Sequence, residues 1–274
     1  MSSLSTPEDR AVDPDAPGQL LVLVDPTARQ ADGESVRIAR DVLSGGADVK
    51  VALPESPSEL DRVLAHRGRR RPVVIGSDLA LQRVLQALHR QRELGTDPVG
   101  LVPVGRPEAV AAGRSLGVPA QPVAAARAVL HGAARKLDLL VDDGGGVAFG
   151  GVSIHTHTAG RPAGLRSLWA KLAAAEQGTS LGSDEPRLRV EADGRLLVDL
   201  DEPVHRLQAA LSAGSGEMEL LLQLAGGPRT VRATRLSVTG RGFGYQADGC
   251  RVGPVRSRVW TVHPAVWQLL LPLA

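Results

Sequence analysis

The sequence predicts an α/β fold class, in which an N-terminal domain with a parallel sheet precedes a C-terminal antiparallel β-sandwich. From Gln19 to about Val141, short apolar runs alternate with helical patterns, which is typical of a parallel sheet covered by helices. Further along, strand-like runs are separated by tight-turn signals such as Asp193-Gly194, which favour antiparallel hairpins. We expect a disordered tail over 1–18, an α/β domain over 19–142, and a β-sandwich over 143–274 whose last segment returns toward the cleft between the domains.

The elements of the first domain follow from apolar runs and helix-end signals. Strands are predicted over 20–24, 49–53, 73–75 and 99–104, because each is a short apolar run of the kind found in buried parallel strands. Helices are predicted over 34–43, over 58–65 with Ser58 as N-cap, from Leu79 onward, over 108–115 and over 123–130.

The second domain is predicted from hairpin signals. Strands are expected over 187–191, 196–199, 219–222, 231–239, 243–246 and 256–262. Breaks are expected at 226–228 and 240–242, where glycines cluster. A short helix over 165–175 and a polar linker over 177–186 connect the two domains.

Composition narrows the class of protein. Hydrophobic residues make up 43% of the 274 residues and aromatic residues only 2%, so the core must consist mainly of Leu, Val and Ala. A net charge of +2 is too small to indicate a nucleic-acid partner. The single Cys250 excludes an internal disulfide and fits a reducing, cytoplasmic compartment. No apolar run approaches the ~20 residues of a membrane span. For the basic cluster at 67–71, a solvated loop is favoured over contact with an anionic membrane.

The sequence Gly76-Ser77-Asp78 is the strongest chemical signal, since it lies between a buried strand and a helix. A glycine turn there allows backbone amides to approach phosphate groups closely, and Asp78 could hold a metal ion or act on an acceptor hydroxyl. The simpler interpretation is that Ser77 or Asp78 only caps the helix.

Four segments, taken in order, resemble the diacylglycerol kinase catalytic-domain superfamily, which is related in fold to NAD kinases. Val24-Asp25-Pro26-Thr27-Ala28 is similar to V-N-P-x-S/A, and Gly76-Ser77-Asp78-Leu79-Ala80 to G-G-D-G-T. The segments 102–105 and 114–119 together are similar to P-x-G-T-x-N-D-x-A-R-x-L-G-I-P, and Asp248-Gly249-Cys250 to D-G-E. The resemblance spans about residues 19–274.

This resemblance implies ATP and Mg²⁺ in a cleft between the domains, with a lipid as acceptor. The nucleotide side would be lined by seven residues, namely Asp25, Pro26, Thr27, Gly76, Ser77, Asp78 and Gly105. Asp78 and Asp248 would be the catalytic residues, and the metal ligands stay unassigned.

The chain also departs from the family pattern at chemically important positions. Leu79-Ala80 replaces Gly-Thr, and Cys250 replaces the glutamate that the family uses as proton acceptor. Two functions therefore stay open. One is an ATP-dependent kinase acting on a diacylglycerol- or sphingoid-like lipid, and the other is a catalytically degenerate member that binds nucleotide or lipid. A structural protein without a ligand is a third, less favoured interpretation. Peripheral contact with the inner face of the membrane and a homodimer are left open.

Other candidates have simpler explanations. His155 and His157 would share one strand face, but no third ligand has suitable spacing, so a surface or cleft-lining strand is favoured over a zinc site. Trp260 and Trp267 are expected to be core residues rather than a ligand platform. For Cys250, a reactive thiol and a buried inert one are both open.

Overall fold

The computed structural model describes residues 18–155, 187–212 and 214–273. The predicted tail up to residue 17, the helix over 165–175, the linker over 177–186 and His157 lie outside these residues. None of the described helices has the length and apolarity that a membrane crossing needs.

The first unit contains a four-stranded parallel sheet, as predicted. Its strands, in the order β2-β1-β3-β4, are β1 Gln19–Val24, β2 Asp48–Ala52, β3 Arg71–Gly76 and β4 Gly100–Pro103. The central strands β1 and β3 are buried along almost their whole length. Their side chains point to both faces of the sheet, so the sheet must be covered on both faces, which explains why their sequences are apolar runs rather than alternating patterns.

Six α-helices connect these strands or follow them. They are α1 Pro26–Ala31, α2 Gly33–Gly46, α3 Pro57–Ala65, α4 Asp78–Arg90, α5 Ala111–Ser115 and α6 Pro122–His131. Helix α1 was not predicted, and a 3-10 turn, Pro107–Val110, forms the first part of the helix predicted over 108–115. The predicted N-cap Ser58 is wrong. Ser56 caps α3 by accepting a hydrogen bond from the Glu59 amide at 3.2 Å, and Pro57 occupies the first helical position, where its missing N–H has no cost.

The second unit is antiparallel, as predicted. Its strands are β5 Ala133–Asp142, β6 Val147–Ala148, β7 Gly151–His155, β8 Leu188–Ala192, β9 Arg195–Val198, β10 Val204–Leu211, β11 Met218–Leu224, β12 Gly227–Ala233, β13 Arg235–Ala247 and β14 Cys250–Leu271. The strand order is β12-β11-β10-β7-β13-β14-β5-β6, and the sheet branches because β13 also pairs with β8, which pairs with β9.

Three details of this sheet differ from the sequence-based expectation. Strand β13 continues through the predicted break at 240–242, where the ladder to β14 is irregular between Thr239 and Phe243. The predicted strand over 231–239 is instead divided between β12 and β13. Strand β5, which the sequence analysis places in the first domain, pairs with β14 and β6 in the second sheet.

The far end of β14 joins the two units. Val99 and Leu269 form a parallel bridge, in which the Val99 amide donates to the Gln268 carbonyl at 2.8 Å and the Leu270 amide donates to the Val99 carbonyl at 3.0 Å. Trp267 and Leu269 are fully buried in the same apolar cluster as the strands of the first sheet. The core of the first unit is therefore completed by residues of the last described strand.

Candidate functional site

The carboxyl ends of β1 and β3 form one polar corner. The Asp25 amide, just after β1, donates to the Ile75 carbonyl of β3 at 3.0 Å. The Asp25 carboxylate accepts hydrogen bonds from the Thr27 amide at 3.0 Å, the Thr27 hydroxyl at 2.9 Å and the Ser77 hydroxyl at 3.2 Å. Three of the predicted nucleotide-binding residues thus belong to one hydrogen-bond network.

Gly76 is required at this corner by the close approach of a side chain. A Cβ atom added at Gly76 would lie 2.6 Å from the Cβ of Asp25 and 3.2 Å from the Cβ of Ala80. The Gly76 carbonyl accepts a hydrogen bond from the Val104 amide at 3.0 Å, which brings the end of β4 beside the corner. Gly105 follows with a φ of +149°, a conformation that favours glycine.

The two residues after Gly76 have separate roles. Ser77 is the N-cap of α4 and accepts a hydrogen bond from the Ala80 amide at 3.4 Å, so the capping interpretation holds for Ser77. The Asp78 carboxylate accepts hydrogen bonds from the amides of Ala112, at 2.7 Å, and Gly113, at 2.9 Å, at the start of α5. Asp78 is buried, and its burial raises the pKa of the carboxyl to about 6 in spite of these two amides.

Asp248 is held in the same manner by the second unit. It lies in the turn between β13 and β14 with a φ of +47°, and its carboxylate accepts three backbone hydrogen bonds. The donors are the amides of Phe149 at 2.7 Å, Gly150 at 2.8 Å and Gly151 at 3.1 Å. Burial, and to a smaller extent the neighbouring Asp78 carboxylate, raises the pKa of Asp248 to about 7. One carboxylate from each unit therefore lies within electrostatic range of the other.

Two glutamines of α4 hold the units together beside these carboxylates. The Gln82 amide group donates to the Val147 carbonyl at 2.9 Å and to the Ala247 carbonyl at 3.5 Å. Gln86, one turn later, accepts from the Val147 amide at 3.0 Å and donates to the Gly145 carbonyl. This contact was not predicted, although two glutamines spaced i, i+4 on one helix were a readable signal.

A cavity of about 510 Å³ lies between α3 and α4 of the first unit and the antiparallel sheet. Asp25 and Pro26 line it, as does Cys250. Among its described lining residues are also Tyr245, Arg258 and Trp260, which the sequence analysis did not place in a site. The other predicted site residues, namely Thr27, Gly76, Ser77, Asp78, Gly105 and Asp248, lie outside the described lining.

One end of this cavity is polar. The Tyr245 hydroxyl donates to Asp142 at 2.9 Å, and burial, followed by this hydrogen bond, raises the pKa of Tyr245. The Arg258 guanidinium donates to Asp143 at 2.8 Å and lies 3.7 Å from Asp142. Trp260 packs edge-to-face on Tyr245 with ring centroids 5.0 Å apart, so Trp260 combines a core position with a place in the cavity wall.

The remaining candidate residues lie outside both the polar corner and the cavity. Arg67 is buried and forms ion pairs with Glu93 and Asp97, so the expectation of a solvated loop is wrong for this arginine. Trp267 is a core residue, as predicted, and its indole donates to the Asp138 carbonyl at 3.0 Å. No cluster of three or more potential metal-ligating side chains occurs within the described part of the chain.

Comparison with known proteins identifies the fold. No protein-family model matches the chain, and no curated protein matches it. Two solved structures of a "putative diacylglycerol kinase" from Bacillus anthracis str. Sterne are similar, with TM-scores of 0.73 and 0.74, 11% identity, and coverage of 92% of this chain and 97% of theirs. A diacylglycerol kinase structure from the same organism has a TM-score of 0.69 and 12% identity over 92% and 96% of the two chains. The chain therefore has the diacylglycerol-kinase-like fold that the sequence resemblance predicted.

Proposed function

We propose that this chain is a lipid kinase-like phosphotransferase that passes the γ-phosphoryl group of ATP to the hydroxyl of a lipid. The observation that carries the proposal is that Asp78 and Asp248, one from each unit, lie within electrostatic range of each other, near the end of the sheet where Asp25, Ser77 and Gly105 lie. Phosphoryl transfer requires little covalent help from a protein. It requires held phosphates, a cation and a proton acceptor, and this corner offers groups suited to each task.

The phosphates would lie at the first turn of α4. This helix has 13 residues, so its dipole and its free amides beyond the Ser77 cap favour a bound anion. Mg²⁺ is commonly held by one or two carboxylates together with substrate phosphates, and Asp78, at the start of α4, would supply such a carboxylate beside them. Bound there, Mg²⁺ would neutralise charge on the transferred phosphoryl group.

Asp248 would accept the proton of the lipid hydroxyl. A general base is most effective when its pKa lies near the working pH, and a pKa of about 7 meets this condition. Cys250, which replaces the family glutamate, is a poorer base because an ordinary thiol is mostly protonated at neutral pH. The lipid chains would lie in the cavity beside α4, against its apolar wall.

The test is phosphoryl transfer by the purified protein with Mg·ATP and micelles containing a diacylglycerol or a sphingoid base. The Asp248→Asn variant should lose at least about 100-fold in rate, because it loses the proton acceptor. The matched control is Asp193→Asn. Asp193 occupies an equivalent Asp-Gly turn with a φ of +48° and also accepts backbone amides, from Thr234 and Arg235, but it lies in the β8–β9 hairpin.

Turnover by the wild type that does not exceed that of Asp248→Asn on either lipid contradicts the proposal. A thermal-shift titration with ATP then separates the two remaining interpretations. Stabilisation rises as RT ln(1 + [L]/Kd), so a clear shift at millimolar ATP without turnover would support a degenerate binding module instead.

A further inference from the structure

Gln82 of α4 contacts both chain segments that hold Asp248 in place. Its side-chain amide donates to the Val147 carbonyl at 2.9 Å and, over a longer contact of 3.5 Å, to the Ala247 carbonyl. Ala247 directly precedes Asp248 in the chain. Val147 lies two residues before Phe149, whose amide donates to the Asp248 carboxylate at 2.7 Å. One side chain therefore contacts the segment that carries this carboxylate and the segment that carries its donors.

The other carboxylate of the site lies on the same side of α4 as Gln82. Asp78 and Gln82 are four residues apart, so their side chains are neighbours one helical turn apart. Both residues are buried, and Asp78 is the charged group that acts on Asp248 within the described part of the chain. Gln82 is thus fixed on the helix that carries one carboxylate and is hydrogen-bonded beside the other.

A hydrogen-bonded glutamine places the second unit more exactly than an apolar side chain would. Apolar contact is non-directional, so it does not determine which atoms of two packed surfaces meet. Hydrogen bonds weaken steeply when they are bent or lengthened, so the Gln82 amide holds particular main-chain atoms against α4. Burial of an amide costs free energy unless it is hydrogen-bonded, and the two carbonyls satisfy this requirement.

We propose that Gln82 is a positioning residue that fixes the Asp248 carboxylate relative to Asp78. In the reaction it acts through Asp248, whose oxygen must lie within hydrogen-bond reach of the acceptor hydroxyl to take its proton. The inference rests on the proposed function for the reaction that the two carboxylates serve. The placement itself can be measured without that reaction.

Gln86 provides a comparison within the same helix. It lies one turn after Gln82, accepts from the Val147 amide at 3.0 Å and donates to the Gly145 carbonyl. Its described hydrogen bonds reach the β5–β6 side of the second unit and not the turn that carries Asp248. If the two glutamines only join the units, their removal should affect Asp248 equally, whereas a positioning role predicts that Gln82 has the larger effect.

The test is the titration of Asp248 in the protein without ATP or lipid. The carboxyl carbons of ¹³C-labelled aspartate are followed by NMR as the pH is varied, and the Asp248 signal is assigned by its absence from Asp248→Asn. The wild type should titrate at about pH 7. In Gln82→Ala water gains access to the turn, so the midpoint should fall by at least about 1 pH unit, because burial is the main cause of the raised pKa. Gln86→Ala is the matched control and should lower the midpoint by less than half as much.

Turnover gives a second readout. With Mg·ATP and lipid, Gln82→Ala should lower kcat by about 10-fold to 100-fold and leave the KM for ATP nearly unchanged, since misplacement of a reacting group by about 1 Å can cost this much. The pH at which kcat reaches half its maximum should fall together with the midpoint of Asp248.

An unchanged or raised Asp248 midpoint in Gln82→Ala, or equal shifts in Gln82→Ala and Gln86→Ala, refutes the positioning role. If Gln82→Ala fails to fold, Gln82→Asn, whose shorter amide cannot reach both carbonyls, should lower the midpoint in the same direction. A lowered midpoint in a protein without phosphoryl transfer would contradict the proposed function and support this inference. Phosphoryl transfer with no effect of Gln82→Ala on either readout would do the reverse.

Discussion

Replacement of Asp78 by Asn should remove a defined part of the pH dependence of stability. Burial raises the pKa of Asp78 from its ordinary 3.8 to about 6, so the folded protein retains a proton that the unfolded chain has already released between these pH values. Stability from this group is therefore fully present below about pH 4 and is lost as the pH rises through 6.

The magnitude follows from the two pKa values. Their difference, at about 1.4 kcal/mol per pKa unit, corresponds to a loss of about 3 kcal/mol in the free energy of unfolding at high pH, of which about half falls between pH 5 and pH 8. The variant cannot ionise, so its stability should fall by about 1.5 kcal/mol less than that of the wild type over this range. At pH 5 it should be less stable by about 1–3 kcal/mol, because an amide group leaves one of the Ala112 and Gly113 donors without an acceptor.

Urea-induced unfolding followed by circular dichroism at pH 5, 6, 7 and 8 measures this difference. Asp32→Asn is the control, because hydrogen bonds from Ser35 lower the pKa of the exposed Asp32 below 3.8, so its contribution is lost only below this pH range and the variant should keep the wild-type slope. If Asp78→Asn retains the full wild-type slope, Asp78 does not titrate in the folded protein as its burial requires, and the electrostatic description of the corner is wrong.

Two further substitutions test the geometry of the first unit. Gly76→Ala should lower the unfolding free energy by about 1–3 kcal/mol, because the new Cβ would collide with Asp25. Gly33→Ala in α2 meets nothing within 4 Å and should be neutral or stabilising, so equal melting temperatures for the two variants would contradict the close packing at Gly76. Ser56→Ala should lower the free energy of unfolding by about 1 kcal/mol, because α3 loses its N-cap, and Ser58→Ala should lower it much less. Thermal denaturation of the two variants measures this order. A larger loss for Ser58→Ala would support Ser58 as the N-cap.

The architecture could be predicted from the sequence because parallel and antiparallel sheets require different patterns of apolar residues and turns. The apolar runs of β1 and β3 follow from burial on both faces, and Asp193-Gly194 forms the predicted two-residue turn, with φ values of +48° and +79°. Strand β10 was missed because Val204–Leu211 mixes polar and apolar residues without strict alternation. Its burial depends on its pairing with β11 and with β7.

The site was predictable only where local chemistry determines it. Gly76 and Ser77 mark a strand-to-helix turn, and that turn is where the sequence analysis placed it. The contacts of Asp78 with α5, and of Asp248 with Phe149, depend on tertiary packing and have no local signature. The same is true of Trp260, since the face on which a residue of a 22-residue strand lies depends on bulges and on pairing partners.

The bridge between Val99 and Leu269 has a consequence for how the protein is made. Chains emerge from the ribosome from the N-terminal end, and the first sheet is synthesised well before the end of β14. Until Trp267 and Leu269 arrive, the apolar surface that they cover in the finished protein stays open. The first unit therefore cannot reach its final packing as an independent early intermediate, and its slowest contacts are long-range ones.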